Sequence, residues 1–121
     1  MKYHKSIFNT LNYCLVMNDK QAKKVIKKFN LNKESLINNM TYDAYTYYDS
    51  DNKIIVIRIV NNELSLINLI SLIIHEVTHV KQFVMEQLNE HKPSDEFEAY
   101  LMQEITNNLL TDCFNKLKIK L

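Results

Sequence analysis

Five consecutive residues, His75-Glu76-Val77-Thr78-His79, read H-E-x-x-H. On a helix, positions four apart lie on one face a turn apart, so both imidazoles can reach a single ion. Glu76 follows the first histidine and can point toward a water on that ion without being a ligand. The arrangement is that of a zinc hydrolase: two His ligands, a Glu general base and a third ligand from elsewhere in the chain. The same five residues also occur in unrelated helices whose histidines are merely hydrogen-bonded. The chemical reading therefore needs a buried helix around the motif.

Residues 62–88 supply that setting. They contain no Gly and no Pro, and the first half is apolar on most sides through Leu64, Ile67, Leu69, Ile70, Leu72, Ile73 and Ile74. Such a pattern predicts a buried helix rather than a surface one. His75 and Glu76 follow directly on the apolar run, where a charged group needs a partner because burying it alone is costly.

A catalytic zinc usually takes three protein ligands and keeps one position open. Downstream lie His91, Asp95, Glu96, Glu98 and Glu104. A last helix is expected from Ser94 or Asp95, with an apolar stripe at Met102, Ile105, Leu109 and Cys113. Extending that stripe back one turn lands on Glu98, a carboxylate at the inward end of an apolar face. Glu96 and Tyr100 lie about 200° round the helix from it, so Glu96 cannot share the site and Tyr100 reads as packing. A capping box with Asp95 as N-cap and Glu98 three residues on fits the same residues. His91, on the loop before the helix, is the other candidate ligand.

The elements before the motif position it. Residues 8–17 predict a first strand, and Asn18 or Asp19 caps a helix to about Phe29. Its apolar stripe is Ala22, Val25, Ile26 and Phe29; Lys20, Lys23, Lys24, Lys27 and Lys28 fill the rest, a solvated face or a site for an acidic partner. Residues 33–39 suggest a short helical turn with Leu36 and Ile37 inward. Residues 41–48 and 53–60 predict two strands of a hairpin around the turn cluster Asp49-Ser50-Asp51-Asn52. The second strand is apolar on both faces except at Arg58, which predicts cover on both sides. If it instead lies at a sheet edge over the motif helix, it could pair with an extended substrate. Tyr47, Tyr48, Arg58 and His91 are the oxyanion stabilisers available by chemistry. The tail, 116–121, alternates Lys with apolar residues and suits a short strand or a frayed end.

Composition bounds the partners. The 121 residues suit one domain, and 46% hydrophobic content suffices for a core. A net charge of +1 carries no nucleic-acid footprint. Charge is uneven: residues 1–40 hold eight Lys against two acids, and residues 41–121 seven Lys and Arg against twelve. Cys14 and Cys113 show neither a disulfide framework nor metal-ligand spacing, so free thiols in a reducing compartment are expected. No apolar run reaches membrane length, and the N-terminus makes a poor signal peptide. There is no glycine and a single arginine, with abundant Asn, Lys and Ile, as in AT-rich bacterial and phage coding; Asn and Asp must then serve the turns.

The motif with a glutamate on the next helix resembles the gluzincin metallopeptidases, and the separation of His79 from Glu98, 19 positions, is close to their thermolysin-like spacing. The metzincin pattern fails, since Met85 stands where its third His belongs. A closer resemblance is to small phage-encoded proteins regarded as zinc peptidases, with H-E-x-x-H-x-x-Q followed by P-S-x-E-F-E-A-Y-x-x-Q. This chain reads His75 to Gln82 in the first pattern and Pro93 to Gln103 in the second. The resemblance covers about residues 70–105 and implies His75, His79 and Glu98 as ligands with Glu76 as base. Larger gluzincins place an Asp four residues after the glutamate ligand; here that position is Met102, so an outer partner for a histidine must come from elsewhere.

These readings predict a single α+β domain over residues 1–121: a small zincin-like domain with a short mixed or antiparallel sheet, its hairpin packed on a buried motif helix, and a C-terminal helix. They predict a zinc-dependent metallopeptidase holding about one Zn2+ per chain. It would act on a peptide or protein substrate in a bacterial or phage-infected cytoplasm, with no nucleic-acid or membrane partner. The rival is a catalytically silent zinc-binding protein that engages a host protein through its basic N-terminal helix.

Overall fold

The computed structural model describes residues 1–37 and 41–119. Among them the chain is α+β, with four strands and three α-helices: β1 His4–Lys5, β2 Asn12–Val16, α1 Asp19–Phe29, β3 Ala44–Asp49, β4 Ile54–Ile59, α2 Leu66–Gln87 and α3 Asp95–Lys116. The strands form one mixed sheet in the order β1-β2-β4-β3. β2 and β4 run parallel, joined by a crossover that carries α1, while β3 returns antiparallel beside β4 and β1 antiparallel beside β2.

The two central strands explain the layering. All six residues of β4 are buried. Alternate side chains point to opposite faces. Leu15 and Met17 of the β2 segment join Ile55, Ile57 and Ile59 in a core with α2 and α3, whereas Cys14, Val16, Ile54 and Val56 face Ala22 and Val25 of α1. The sheet is therefore covered on both sides, as an uninterrupted apolar strand requires. β4 is central, so the edge over the motif helix is β3 and not residues 53–60.

Arg58 is the exception in β4, and it faces the α1 side. It is 3% exposed. Its Nε donates to Leu36 O at 3.0 Å, Nη1 to Ile59 O at 2.9 Å and Nη2 to Asp19 Oδ1 at 2.6 Å. Asp19 is 59% exposed at its side chain, so solvent screens the ion pair and the two carbonyls carry most of the contact. Asn18 caps α1 by accepting from Gln21 N.

Three expectations need correction. Residues 8–11 are not strand: Ile7–Asn9 is a 3-10 turn in which Phe8 and Asn9 adopt positive φ, and Phe8 is exposed. The short helical turn expected over 33–39 does form, as a 3-10 turn at Lys33–Ser35 with Leu36 buried and Ile37 partly buried; Asn38 and Asn39 lie outside the described residues. The first half of α2 is not buried all round, since Leu66, Ile67 and Ile74 are exposed; the sheet covers only the face of Leu69, Ile73, Val77, Val80 and Val84. α3 runs through Lys116 and Leu117–Lys118 is a turn, so among the described residues of the tail there is no strand; Lys120 and Leu121 lie outside the described residues.

The far end of α3 reaches back to the first strands. His4 Nε2 meets Asp112 Oδ2 at 2.7 Å, and Lys116 Nζ donates to Leu15 O at 2.6 Å. Asn108 Nδ2 donates to Tyr13 Oη at 2.7 Å. Both cysteines are free and buried. Burial pushes the Cys14 thiol up to about 12, against a smaller lowering by Lys116.

Arg58→Ala should destabilise the fold by on the order of 3 kcal/mol, because Leu36 O and Ile59 O lose their donor inside the protein. Urea unfolding measures this; a loss well under 1 kcal/mol would show the clamp to be dispensable. At pH 8 Cys14 remains a thiol rather than the reactive thiolate. Iodoacetamide should therefore leave Cys14 unmodified in the native protein and label it once urea unfolds the chain; rapid native labelling would contradict its enclosure.

Candidate metal centre

The H-E-x-x-H segment lies wholly within α2. Ser65 caps this helix by accepting from Asn68 N. The stripe Leu69, Ile73, Val77, Val80 and Val84 docks on the sheet and fixes the rotation of the helix. Glu76 borders that stripe and is buried, at 4% exposure. His75 and His79 lie further round, toward the edge strand β3. His75 is exposed and His79 half-buried.

The ligand atoms of His75, Glu76 and His79 all lie within 4.8 Å of one another. The two imidazole rings meet edge-on, with centroids 5.2 Å apart and planes at 76°. Two imidazole nitrogens and a carboxylate at this separation are a donor set suited to zinc and to other divalent first-row ions. The group opens into a groove of about 560 Å³ between α2 and β3, lined also by Tyr42, Asp43, Ala44, Tyr45, Thr46, Leu72 and Phe83.

Two side chains, Thr46 and Gln82, hold this group through three hydrogen bonds. Thr46 Oγ1, on β3, donates to Glu76 Oε1 and to Glu76 O, both at 3.3 Å. It thereby ties the carboxylate to the edge strand. His79 Nδ1 meets Gln82 Oε1 at 3.0 Å.

Glu98 is not brought to the histidines. α3 does turn its predicted stripe inward, with Ile105, Leu109 and Cys113 buried and Met102 partly so. Glu98 does face α2, but it meets Lys81, whose Nζ donates to Glu98 Oε1. Lys81 follows His79 by two positions, about 200° round the helix, so Glu98 sits on the far side of α2 from the imidazoles. Lys81 is 14% exposed and Glu98 39%. The capping-box alternative does not form either, since Ser94 is the N-cap and accepts from Phe97 N. His91 is exposed and lines a separate cleft with Lys81, Gln82 and Glu98.

The four oxyanion candidates also lie off the groove. Arg58 is on the opposite face of the sheet, and Tyr47 packs on that face with its hydroxyl on Asp49. Tyr48 stacks on Phe83 at 4.6 Å and donates to Gln87 Oε1. His91 belongs to the other cleft. Tyr42 and Tyr45 line the groove instead, although the Tyr45 hydroxyl is taken by Ser35 O. Tyr100, expected to pack, is 67% exposed.

Sequence reasoning gave no role to Thr46, Asp43 or Gln82. Gln82 was within reach, because three positions after His79 puts it on the same helix face. Thr46 and Asp43 carry no local signal; the pairing of β3 with β4 sets Thr46 opposite α2, and Asp43, just before β3, lines the same groove. Comparison with protein-family models, curated proteins and solved structures finds no match to this chain.

Glu98→Ala should destabilise the protein by about 1–2 kcal/mol, because it strips a mostly buried Lys81 of its carboxylate. The loss should be the same in chelator-treated protein and in protein supplied with zinc, as measured by urea unfolding. A loss seen only with zinc present would restore Glu98 as a ligand.

Proposed function

We propose that the protein is a zinc-dependent metallopeptidase whose centre is His75, Glu76 and His79. The observation that supports this best is the convergence of three donors within 4.8 Å, at the mouth of a groove whose other wall is an edge strand. Among the described strands β3 pairs with β4 alone, so its outer backbone groups are available to an extended peptide. This moves the substrate-pairing role from residues 53–60 to Ala44–Asp49.

His75 and His79 would hold the ion. Zinc at such a site lowers the pKa of a water toward neutrality and polarises a carbonyl. Glu76 stands beside the imidazoles with its Oε1 steadied by Thr46, placed to take a proton in the groove and return it to the leaving amine. With Glu98 paired to Lys81, Asp43 is the remaining carboxylate residue of the groove and the residue to test as third ligand. Its Oδ1 accepts from Asn61 Nδ2 at 3.2 Å, and among the described residues no hydrogen bond engages Oδ2.

A second reading has an observation of its own. Lys20, Lys23, Lys24, Lys27 and Lys28 are all exposed on α1, a basic surface suited to an acidic protein partner. On that reading the metal site is silent and α1 acts.

Purified protein should carry about one zinc per chain, lost in His75→Ala and His79→Ala, reduced in Asp43→Ala and kept in Glu98→Ala. Glu76→Gln should keep the zinc while hydrolysis of a quenched-fluorescent peptide library falls by about 10²-fold or more. Undiminished cleavage by Glu76→Gln would end the peptidase reading. Zinc without cleavage in the wild type, together with a biological effect lost on charge reversal of Lys23, Lys24 and Lys27, would favour the binding protein.

A further inference from the structure

The two imidazoles of the centre are not held alike. His79 Nδ1 has Gln82 Oε1 at 3.0 Å, whereas among the described residues no hydrogen bond engages the His75 ring. A carbonyl oxygen only accepts, so this contact forms when Nδ1 carries the proton. Neutral imidazole has one protonated nitrogen, and Nε2 is then left with its lone pair. In this tautomer Nε2 is the nitrogen with a lone pair to offer a cation.

We infer that Gln82 is a positioning residue for the metal: it locks His79 as the Nδ1–H tautomer and so reserves Nε2 for the ion. This rests on the zinc reading above. Gln82 suits the role because it is exposed, on the outer side of α2, and three residues from His79 on the same helix. Its exposure means that replacing it should leave the packing of α2 intact. An outer partner on a ligating imidazole sets both its orientation and its basicity, and losing one weakens metal binding by about 10–100-fold. The residue supplying it here belongs to the motif helix itself, so the centre is partly organised before any second helix docks.

The test has two arms, both at pH 8, on wild type, Gln82→Met and Gln82→Glu. In chelator-treated protein, long-range 1H–15N spectra of the histidines report the tautomer. His79 should be Nδ1–H in the wild type and in Gln82→Glu, and shift toward Nε2–H in Gln82→Met. Chelator competition then gives zinc affinity. It should fall by about 10–100-fold in Gln82→Met and be kept or raised in Gln82→Glu, whose carboxylate is the stronger acceptor. Nε2–H in the wild type, or equal zinc affinity in all three, would overturn the inference and leave the centre itself standing. An Nδ1–H wild type that takes up no zinc would instead overturn the metal reading, and with it any role for Gln82 in it. Circular dichroism of the three proteins should superimpose, separating a tautomer effect from unfolding.

Discussion

Everything at the candidate centre follows from how α2 is rotated on the sheet. The helix has one face it must bury, Leu69-Ile73-Val77-Val80-Val84, and one apolar surface to bury it on, formed by Leu15, Ile55, Ile57 and Ile59. Burying large aliphatic side chains is worth about 1.5–3 kcal/mol each, and five of them together outweigh the few hydrogen bonds at the site. The core therefore dictates the rotation, and the site inherits it. Glu76, beside the stripe, is carried under the edge strand, where Thr46 meets it. His75 and His79, further round, emerge at the groove. The opposite shoulder of the helix turns Lys81 toward α3.

A chain without glycine makes its turns by other means. Six described residues adopt positive φ, and three of them, Asn9, Asn30 and Asn89, are asparagines. Asparagine tolerates the left-handed region better than most side chains because its amide can bond locally. Asn30 ends α1 in this way, with its N–H on Ile26 O. Phe8, Lys53 and Lys118 take the same region without that help. At Lys53 the preceding turn is held by Asp49, which accepts from both the backbone and the side chain of Asn52. Those bonds also keep the Asp49 carboxyl below its ordinary range, the backbone N–H of Asn52 being the largest cause.

Local periodicity made much of this legible. The hairpin, the capped basic helix, the motif helix and the last helix could all be read from spacing and capping residues, because each is encoded within a few turns of chain. The two-sided cover of β4 was equally readable from its unbroken apolar run. What could not be read was which elements meet. The stripe on α3 correctly placed Glu98 on the inward face, but nothing in it specifies which side of α2 receives that face. Two helices that differ by half a turn in contact have the same sequences and opposite sites. The fourfold order β1-β2-β4-β3 has the same origin: strand residues announce themselves, and their neighbours do not. Arg58 reads as a lone cation in a strand, and only the crossover layer reveals the Leu36 carbonyl waiting for it.

The contacts between α3 and the first strands have a consequence for the order of events during synthesis. His4 and Asp112 are 108 positions apart, and Lys116 reaches Leu15 across 101. β1 is only two residues long, and β2 has one of its two apolar faces covered by the α2–α3 layer. That face of β2 therefore stays open until α2 and α3 have been made. α1 and the hairpin can form early, since their contacts are local, but the α2 side of the sheet closes only once α3 is present. Such long-range closure slows folding relative to locally wired helical domains. It leaves Leu15, made before the rest of that core, without its α2–α3 cover for longest.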